Sequence, residues 1–426
     1  MLDIKWLREN PDVVAEAARK KRIEVDVGAI LEADATYRSL LCDVEERRAE
    51  AKRRSQEMKD IAADERVALL EEGRRAKQEL KGLEAEASKV QSALQAGLLT
   101  LPMPPDPEVP EGSDDSQNVE LRTWGEVPDF SFDAKDHVSL GADLGILDIP
   151  RGVKLAGSRN YLLLGDGARL EQAVLRFAVA HMTAKGFDLA SVPILVNHAC
   201  MEGTGYFPGG EEQTYAVPKD DLFLSGTSEV PLTAIHSGET LEESDLPVRR
   251  IALSPCFRRE AGTYGKEAHG LYRVHQFWKV EQMVIGPNDE DWSIEEQGKM
   301  LAHAEEFVQA LEIPYRVVDV CTGDLGQGQV RKFDIEAWMP SRGSWGETHS
   351  ASRFHDFQAR RLNLRYKPSG GGKPRFCHTL NNTVAATPRL LIPLLELGQQ
   401  SNGDVVLPEA LESFMGKVLL ENPAKG

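Results

Sequence analysis

The chain has 426 residues, of which 41% are hydrophobic and 28% charged, and its formal net charge is −18. This is the composition of a globular protein, and the length predicts two to four domains. So large a negative charge argues against a protein that coats nucleic acid uniformly, but it leaves room for a local basic surface. Residues 1–100 carry 19 basic and 21 acidic side chains, so most of the acidic excess lies in the rest of the chain.

The five cysteines are widely scattered and contain no C-x-x-C pair. This pattern argues against a disulfide framework and against a structural zinc site. The N-terminus MLDIKWLREN carries charges within its apolar residues, unlike a signal peptide, and no run of 18 apolar residues is present. We therefore expect a cytoplasmic protein without a membrane partner.

Residues 29–101 are rich in Ala, Glu, Lys, Arg and Leu and contain no proline. Two rows of apolar residues at seven-residue spacing predict two long helices, which fold back near residues 62–65 as an antiparallel coiled-coil hairpin. Each arm of about 30 residues would be roughly 45 Å long. A short amphipathic helix is predicted before the hairpin. The two rows are Tyr37, Val44, Ala51 and Met58, and Leu69, Ala76, Leu83 and Val90.

Basic residues lie on the polar faces of both predicted arms. They fit either the solvated surface of a coiled coil balanced by glutamates, or an arm that contacts the phosphates of a structured RNA. The residues alone leave both interpretations open. The candidates for RNA contact are Arg47, Arg48, Lys52, Arg53, Arg54, Arg74 and Arg75.

A proline-rich, acidic segment at 102–118 follows the hairpin and is predicted to be a linker between an N-terminal domain, 1–101, and a second domain, 119–426. In the second domain, strand-like runs joined by short turns alternate with predicted helices. This order is typical of an α+β domain built on an antiparallel sheet flanked by helices.

The largest group of candidate functional residues lies in the stretch FRREAGTYGKEAHGLYRVHQFWKVE, residues 257–281. This stretch is predicted to form a strand, a glycine-containing loop and a returning strand. Arg258 and Glu260 are two residues apart, and Phe277 and Glu281 are four apart, so each pair would share one face of its strand. An arginine suits a phosphate, a carboxylate suits a base or an amine, and an aromatic ring suits stacking.

This stretch resembles motif 2 of the class II aminoacyl-tRNA synthetases, in the form used by the seryl-tRNA synthetase family. Three further segments resemble that family in the same order along the chain: SGTSEVPLTAIHSGE its T-x-E loop, GETHSASRFHDFQARR its E-x-x-S and DFQARR segment, and HTLNNTVAATPRLLIPLLE its motif 3. The helix from Arg169, with Gly186 and Pro193, fits motif 1, which builds the dimer interface in that class. The N-terminal hairpin resembles the family's arm for tRNA.

The resemblance implies roles for individual residues. Arg258 would hold the α-phosphate of ATP and Arg389 the γ-phosphate, so these are the expected catalytic residues. Glu347 and Ser350 would help to hold Mg²⁺. The expected ATP site comprises Arg258, Arg259, Glu260, Val274, Phe277, Glu347, Thr348, His349, Ser350 and Arg389. The expected serine site comprises Thr227, Ser228, Glu229, Glu281, Asn381 and Thr383.

The resemblance further implies a homodimeric serine–tRNA ligase that uses ATP as a substrate with Mg²⁺, and that charges tRNA(Ser) and does not bind DNA. Whether tRNA(Sec) is a second acceptor stays open.

Two other functions fit parts of the pattern. One is a tRNA-binding relative without catalysis, and the complete set of ATP residues argues against it. The other is a relative that charges a carrier protein, and the presence of the hairpin argues against it. Two departures from the common family pattern are Ala351 in place of a cysteine and Asn381-Asn382-Thr383-Val384 in place of N-G-S-G.

Overall fold

The computed structural model describes residues 1–57, 63–262 and 270–423. It divides the chain into two compact units, Met1–Pro104 and Pro105–Gly426. Among the described residues, no helix combines the length and the apolar character needed to cross a bilayer.

The first unit is helical. Two short helices, α1 (Ile4–Glu9) and α2 (Pro11–Lys20), replace the single amphipathic helix predicted there, because Pro11 begins a new helix. Two long helices follow, α3 (Val27–Glu57) and α4 (Ala63–Thr100). They confirm the predicted hairpin, whose turn falls largely outside the described residues.

The predicted heptad rows are buried only in part: Val44 is buried, Ala51 is exposed, and the other described members, Tyr37, Ala76, Leu83 and Val90, are half-buried. Val44 of α3 and Ala87 of α4 are buried, and so are their neighbours Leu40 and Leu94. Arg48 of α3 forms an ion pair of 2.7 Å with Glu84 of α4. Met58 and the side chain of Leu69 lie outside the described part of the chain.

The second unit contains 18 strands, nine α-helices and six short 3-10 helices among its described residues. The helices are α5 (His137–Asp143), α6 (Ile149–Ala156), α7 (Asp166–Ala184), α8 (His198–Thr204), α9 (Glu229–Ala234), α10 (Glu290–Ala310), α11 (Phe357–Leu362), α12 (Leu391–Leu397) and α13 (Glu412–Met415). The strands are β1 (Val119–Trp124), β2 (Leu147–Asp148), β3 (Leu162–Leu163), β4 (Asp188–Leu189), β5 (Leu195–Asn197), β6 (Tyr215–Val217), β7 (Leu222–Leu224), β8 (Thr240–Glu242), β9 (Val248–Phe257), β10 (Gln276–Gly286), β11 (Tyr315–Asp319), β12 (Arg331–Met339), β13 (Ser344–Arg353), β14 (Arg365–Lys367), β15 (Arg375–Phe376), β16 (His378–Thr387), β17 (Val405–Val406) and β18 (Leu419–Leu420).

One eight-stranded sheet organises this unit, with the order β1-β11-β12-β13-β16-β10-β9-β4. Every neighbouring pair in it is antiparallel except β4 and β9. The predicted α+β class and antiparallel sheet are therefore confirmed.

The two faces of the sheet differ in what covers them. Helices α7 and α10 cover one face, where Val280 and Val284 of β10 join the main apolar core. The other face carries α9 and α11, which pack on Met283 and Ile285 of β10. Because side chains alternate along a strand, Phe277, Lys279 and Glu281 of β10 lie on this second face.

The predicted linker is not a separate segment in the structure. The division between the units falls after Pro104, and the backbone N–H of Asp106 donates a hydrogen bond of 2.9 Å to the carbonyl oxygen of Val330. Val109 is buried against Val318, Val320 and Leu325. The segment contains a short 3-10 helix, Asp115–Gln117, and the apolar side chain of Val109 packs it against the rest of the second unit.

Candidate active site

A cavity opens on the second face of the sheet, where β10, β13 and β16 meet. Both arginines predicted to be catalytic line it, together with Lys279, which was not predicted from the sequence. The lining residues are Arg258, Glu260, Tyr272, Val274, Phe277, Lys279, Glu347, Thr348, Thr383, Ala386, Thr387, Pro388 and Arg389.

Arg389 lies between the end of β16 and the start of α12 and is held by two residues, Tyr272 and Glu347. Its guanidinium carbon is 4.4 Å from the centre of the Tyr272 ring, and its Nε donates to the Tyr272 carbonyl oxygen over 3.1 Å. Its Nη1 donates to the carbonyl oxygen of Glu347 over 2.9 Å and lies 3.3 Å from that residue's carboxylate. These contacts fix a planar cation in the wall of the cavity.

The charge of Glu347 is stabilised by its neighbours. Burial acts to raise its pKa, but the positive charges of Arg389, Lys332 and Arg258 outweigh burial and hold the pKa below its usual value. Glu347 is therefore an ionised carboxylate at the edge of the cavity.

Arg258 and Phe277 line another part of the cavity together. The Nε of Arg258 donates to the carbonyl oxygen of Gly226 over 3.2 Å, and its guanidinium carbon lies 5.3 Å from the centre of the Phe277 ring. The backbone N–H of Arg258 donates to the carbonyl oxygen of His275 over 3.0 Å. This side of the cavity therefore combines an anchored cation with an aromatic face.

The prediction that Arg258 and Glu260 share a strand face is wrong, because β9 ends at Phe257. Glu260 has a φ of 51°, in the left-handed region, which turns the backbone out of the strand. Both side chains still line the cavity, and the carboxylate of Glu260 lies 3.4 Å from Nη1 of Arg273. The glycine loop at 263–269 lies outside the described residues.

A buried polar cluster adjoins the cavity. Lys279 donates from Nζ to the hydroxyl of Thr227 over 2.7 Å and forms an ion pair with Glu281. The hydroxyl of Thr383 donates to Glu281 over 3.5 Å. The backbone N–H of Glu229 donates to the same Thr227 hydroxyl over 3.1 Å. Four of the six residues predicted to bind serine are thus brought together around one lysine.

Glu229 completes this cluster at the N-terminus of α9. Its two carboxylate oxygens accept hydrogen bonds from Tyr206 Oη over 2.9 Å and from Gln358 Nε2 over 2.8 Å. Burial, reinforced by the negative charge of Glu281, raises the pKa of Glu229 to about 7. With both glutamates ionised, Glu229, Glu281 and Lys279 carry a net charge of −1, which suits a ligand with one positive charge.

The two residues predicted to hold Mg²⁺ lie on one side of β13. Residues three apart on a regular strand would lie on opposite sides, but β13 has a register shift against β12. Ser350 therefore pairs with Asp334 and Glu347 pairs with Glu336, which puts both on the same side. Burial, with the negative charge of Glu347 as a further cause, raises the pKa of Asp334 to about 7. Asp334, which was not predicted from the sequence, is a further carboxylate beside Ser350.

Eight of the predicted residues are not among those that line the cavity. Thr227, Glu229 and Glu281 belong to the adjoining cluster, Ser350 lies on β13, and the other four are Arg259, Ser228, His349 and Asn381. Arg259 lies over the Tyr215 ring at 5.7 Å, and the Ser228 hydroxyl donates to the Ala252 carbonyl oxygen over 3.5 Å. His349 is buried beside the Val384 carbonyl oxygen at 2.9 Å, and burial lowers its pKa to about 4. Asn381 is two residues from Thr383 on β16 and shares its face. Val274, Thr348 and Thr383 do line the cavity, as expected.

Lys279 and Gln358 are the main site residues that were not predicted from the sequence. Lys279 is two residues from both Phe277 and Glu281, so strand alternation alone could have placed it beside them. Gln358 lies in the DFQARR segment, but no local spacing connects it to Glu229, which is 129 residues away.

The basic residues of the hairpin fall into two groups. Arg47, Arg48, Arg54 and Arg75 each have a carboxylate within 4.0 Å. Among the side chains that the structure describes, Lys52, Arg53 and Arg74 are exposed and have no such carboxylate. The second group therefore presents positive charge that is not already paired in the described part of the hairpin.

Comparisons with known proteins match both units. Residues 1–105 match the seryl-tRNA synthetase N-terminal domain, and residues 214–397 match the tRNA synthetase class II core domain (G, H, P, S and T). The serine–tRNA ligase of Deinococcus radiodurans is 42% identical over 416 residues, 98% of each chain. That of Rubrobacter xylanophilus is 44% identical over the full length of both chains.

Two solved structures are similar over nearly the whole chain. Seryl-tRNA synthetase from Pyrococcus horikoshii, complexed with ATP, has a TM-score of 0.91 and 37% identity, and the match covers 99% of this chain and 100% of that one. The cytoplasmic serine–tRNA ligase of Naegleria fowleri, in complex with AMP, has a TM-score of 0.86 and 30% identity over 99% of each chain. The chain therefore belongs to the seryl-tRNA synthetase family, the serine–tRNA ligases of the class II aminoacyl-tRNA synthetases.

Proposed function

We propose that this chain activates L-serine with ATP to form seryl-adenylate and transfers serine to the 3′ end of tRNA(Ser). The observation that carries this proposal is the position of the buried Thr227–Glu229–Lys279–Glu281 cluster next to a cavity lined by Arg258 and Arg389. The cluster suits an amino acid, and the two arginines suit a polyphosphate.

Serine would bind at the cluster. Its ammonium would lie against Glu229 and Thr227, since the net negative charge there calls for one cation. Its hydroxyl would meet Glu281 and Thr383, whose side chains already lie within 3.5 Å of each other. A site whose buried polar groups need the substrate hydroxyl rejects alanine strongly, because those groups would stay unpaired. The added methyl of threonine would clash with this closely packed cluster.

ATP would occupy the cavity with its adenine on Phe277, its α-phosphate at Arg258 and its γ-phosphate at Arg389. The related synthetase from Pyrococcus horikoshii was solved with ATP, which supports this assignment. An oxygen of the serine carboxylate attacks the α-phosphorus, the bond to the bridging oxygen breaks, and pyrophosphate leaves. The attacking carboxylate is already ionised, so the step needs no general base. Positioning and charge stabilisation supply the catalysis.

Mg²⁺ is a hard cation that binds carboxylate, hydroxyl and phosphate oxygens. Glu347 and Ser350 offer the first two on one side of β13, and the lowered pKa of Glu347 keeps its carboxylate ionised, so these residues fit the ion. When bound with ATP, Mg²⁺ would neutralise part of the phosphate charge.

In the second step, the 3′-hydroxyl of the terminal tRNA ribose attacks the seryl carbonyl carbon and AMP leaves. The hairpin would hold the tRNA through phosphate contacts, and its exposed Lys52, Arg53 and Arg74 are the strongest candidates for those contacts.

We also propose that the chain is a homodimer. Exposed apolar side chains near the motif 1 segment, Leu189 and Leu195, support an interface there, and light scattering would measure the mass.

ATP–pyrophosphate exchange with each of the twenty amino acids tests the activation step. Serine should support exchange, and alanine and threonine should do so far less efficiently. Exchange that favours another amino acid would overturn the proposal. Charging assays with transcripts of tRNA(Ser) and tRNA(Sec) then test the acceptor. Exchange without charging of either tRNA would favour a relative that acts on another acceptor.

A further inference from the structure

The amide of Gln358 has one fixed orientation. Gln358 is fully buried on α11, and its Nε2 donates to Glu229 over 2.8 Å and to the carbonyl oxygen of Thr204 over 3.1 Å. Its Oε1 accepts a hydrogen bond of 2.6 Å from the hydroxyl of Thr379. A flipped amide would place an oxygen against the Glu229 carboxylate and the Thr204 carbonyl oxygen and would lose both of those bonds.

Tyr206 supports the other oxygen of the same carboxylate. Its hydroxyl donates to Glu229 Oε2 over 2.9 Å. Each oxygen of Glu229 therefore has one neutral donor. A carboxylate offers about four acceptor positions in total, so both oxygens keep capacity for a further donor.

The two donors to Glu229, an amide and a hydroxyl, carry no charge, which matters in a buried site. They stabilise and orient the carboxylate but do not cancel its charge, as an arginine or lysine in the same position would. The attraction for a substrate ammonium is thereby kept. Without them, the buried carboxylate would lose its solvation and favour the protonated form, which carries no charge for an ammonium.

We propose that Gln358 and Tyr206 are positioning residues, which hold the Glu229 carboxylate in the orientation that receives the ammonium of serine. Neither residue touches the substrate in this scheme, and Thr379 fixes the orientation of Gln358. The inference rests on the proposed function only in taking Glu229 as the acceptor of the ammonium.

A double-mutant cycle tests whether Gln358 acts through Glu229. Gln358→Met removes the donor and keeps a similar volume. The probe is a non-hydrolysable seryl-adenylate analogue, a seryl sulfamoyl adenosine, whose dissociation constant is measured by titration calorimetry. Gln358→Met should weaken binding about tenfold in the wild-type background, in line with the removal of one hydrogen bond to a charged group. In a Glu229→Gln background the same change should weaken it less than twofold.

Gln297→Met is the matched control, because Gln297 is also buried and donates from Nε2 to two carbonyl oxygens, those of Arg331 and Ala351. Gln297 lies on α10, on the opposite face of the sheet, so its substitution should leave the dissociation constant within twofold of wild type. Tyr206→Phe, which removes only a hydroxyl, repeats the cycle independently of whether Gln358→Met folds.

Two results would overturn this inference: unchanged binding in both Gln358→Met and Tyr206→Phe, or a tenfold loss that persists in the Glu229→Gln background. Failure of the proposed function would look different. In that case the wild-type protein itself would show no serine-dependent exchange, or would bind the analogue of another amino acid more tightly.

Discussion

The ammonium of Lys279 donates a hydrogen bond of 2.7 Å to the hydroxyl of Thr227, which lies 52 residues earlier in the chain. This bond joins the segment just before α9 to β10 of the eight-stranded sheet. The same ammonium pairs with Glu281, so one buried cation contacts Thr227, where the serine ammonium is proposed to bind, and Glu281, where the serine hydroxyl is proposed to bind.

Lys279→Met is expected to destabilise the protein by about 3–5 kcal/mol, because the buried carboxylates of Glu229 and Glu281 would lose their shared cation. The KM for serine should rise at least tenfold, which exchange assays would measure alongside urea unfolding. Lys299→Met is the matched control, since the Lys299–Glu295 pair is exposed on α10. That change should cost no more than about 0.5 kcal/mol. Similar losses in the two variants would contradict the central role of Lys279.

Arg389→Lys should lower kcat for pyrophosphate exchange about 100-fold, since a lysine cannot reproduce the stacking on Tyr272 and the fixed fork of donors. Stability should change little by comparison. Arg342→Lys provides a control, because Arg342 also lies over the Tyr272 ring, at 4.2 Å, but does not line the cavity. Its kcat should stay within threefold of wild type. An equal effect of both substitutions would show that Tyr272 packing, rather than contact with phosphate, explains the loss.

Local patterns predicted the parts of the site that depend on a single element. Heptad spacing gave the two long helices, and strand alternation gave the shared face of Phe277 and Glu281. The turn at Glu260 was missed because its left-handed backbone leaves no signal in a run of polar residues. The contacts of Gln358 and Tyr206 with Glu229 were missed for another reason. They join α11 and a loop to α9, and such long-range packing has no spacing that a sequence pattern can reveal.

The stability of the substrate-free protein should depend on pH through Glu229. Its pKa is raised from 4.5 to about 7, first by burial and then by the charge of Glu281. Between these values the folded protein keeps a proton that the unfolded chain has released, so this residue makes stability fall as pH rises. Glu229→Gln removes that dependence. The free energy of unfolding of the variant relative to wild type should increase by about 2–3 kcal/mol from pH 5 to pH 8, measured by urea unfolding. A difference that is the same at every pH would show that Glu229 does not titrate in this range.

Charge reversal on the hairpin should separate tRNA binding from serine activation. The double variant Arg53→Glu and Arg74→Glu changes two exposed side chains that have no paired carboxylate among the described residues. A plot of the logarithm of the binding constant against the logarithm of the salt concentration has a negative slope, and each lost phosphate contact makes that slope shallower by about 0.7–0.9. The variant should therefore bind tRNA(Ser) more weakly and with a weaker dependence on salt. Its pyrophosphate exchange should match wild type, because the cavity lies in the second unit. The double variant Lys367→Glu and Lys373→Glu changes two exposed side chains of that unit and lowers the net charge by the same amount, so it controls for net charge and should leave tRNA binding unchanged. If both variants weaken tRNA binding equally, the effect comes from overall charge, and the hairpin is not the tRNA-binding surface.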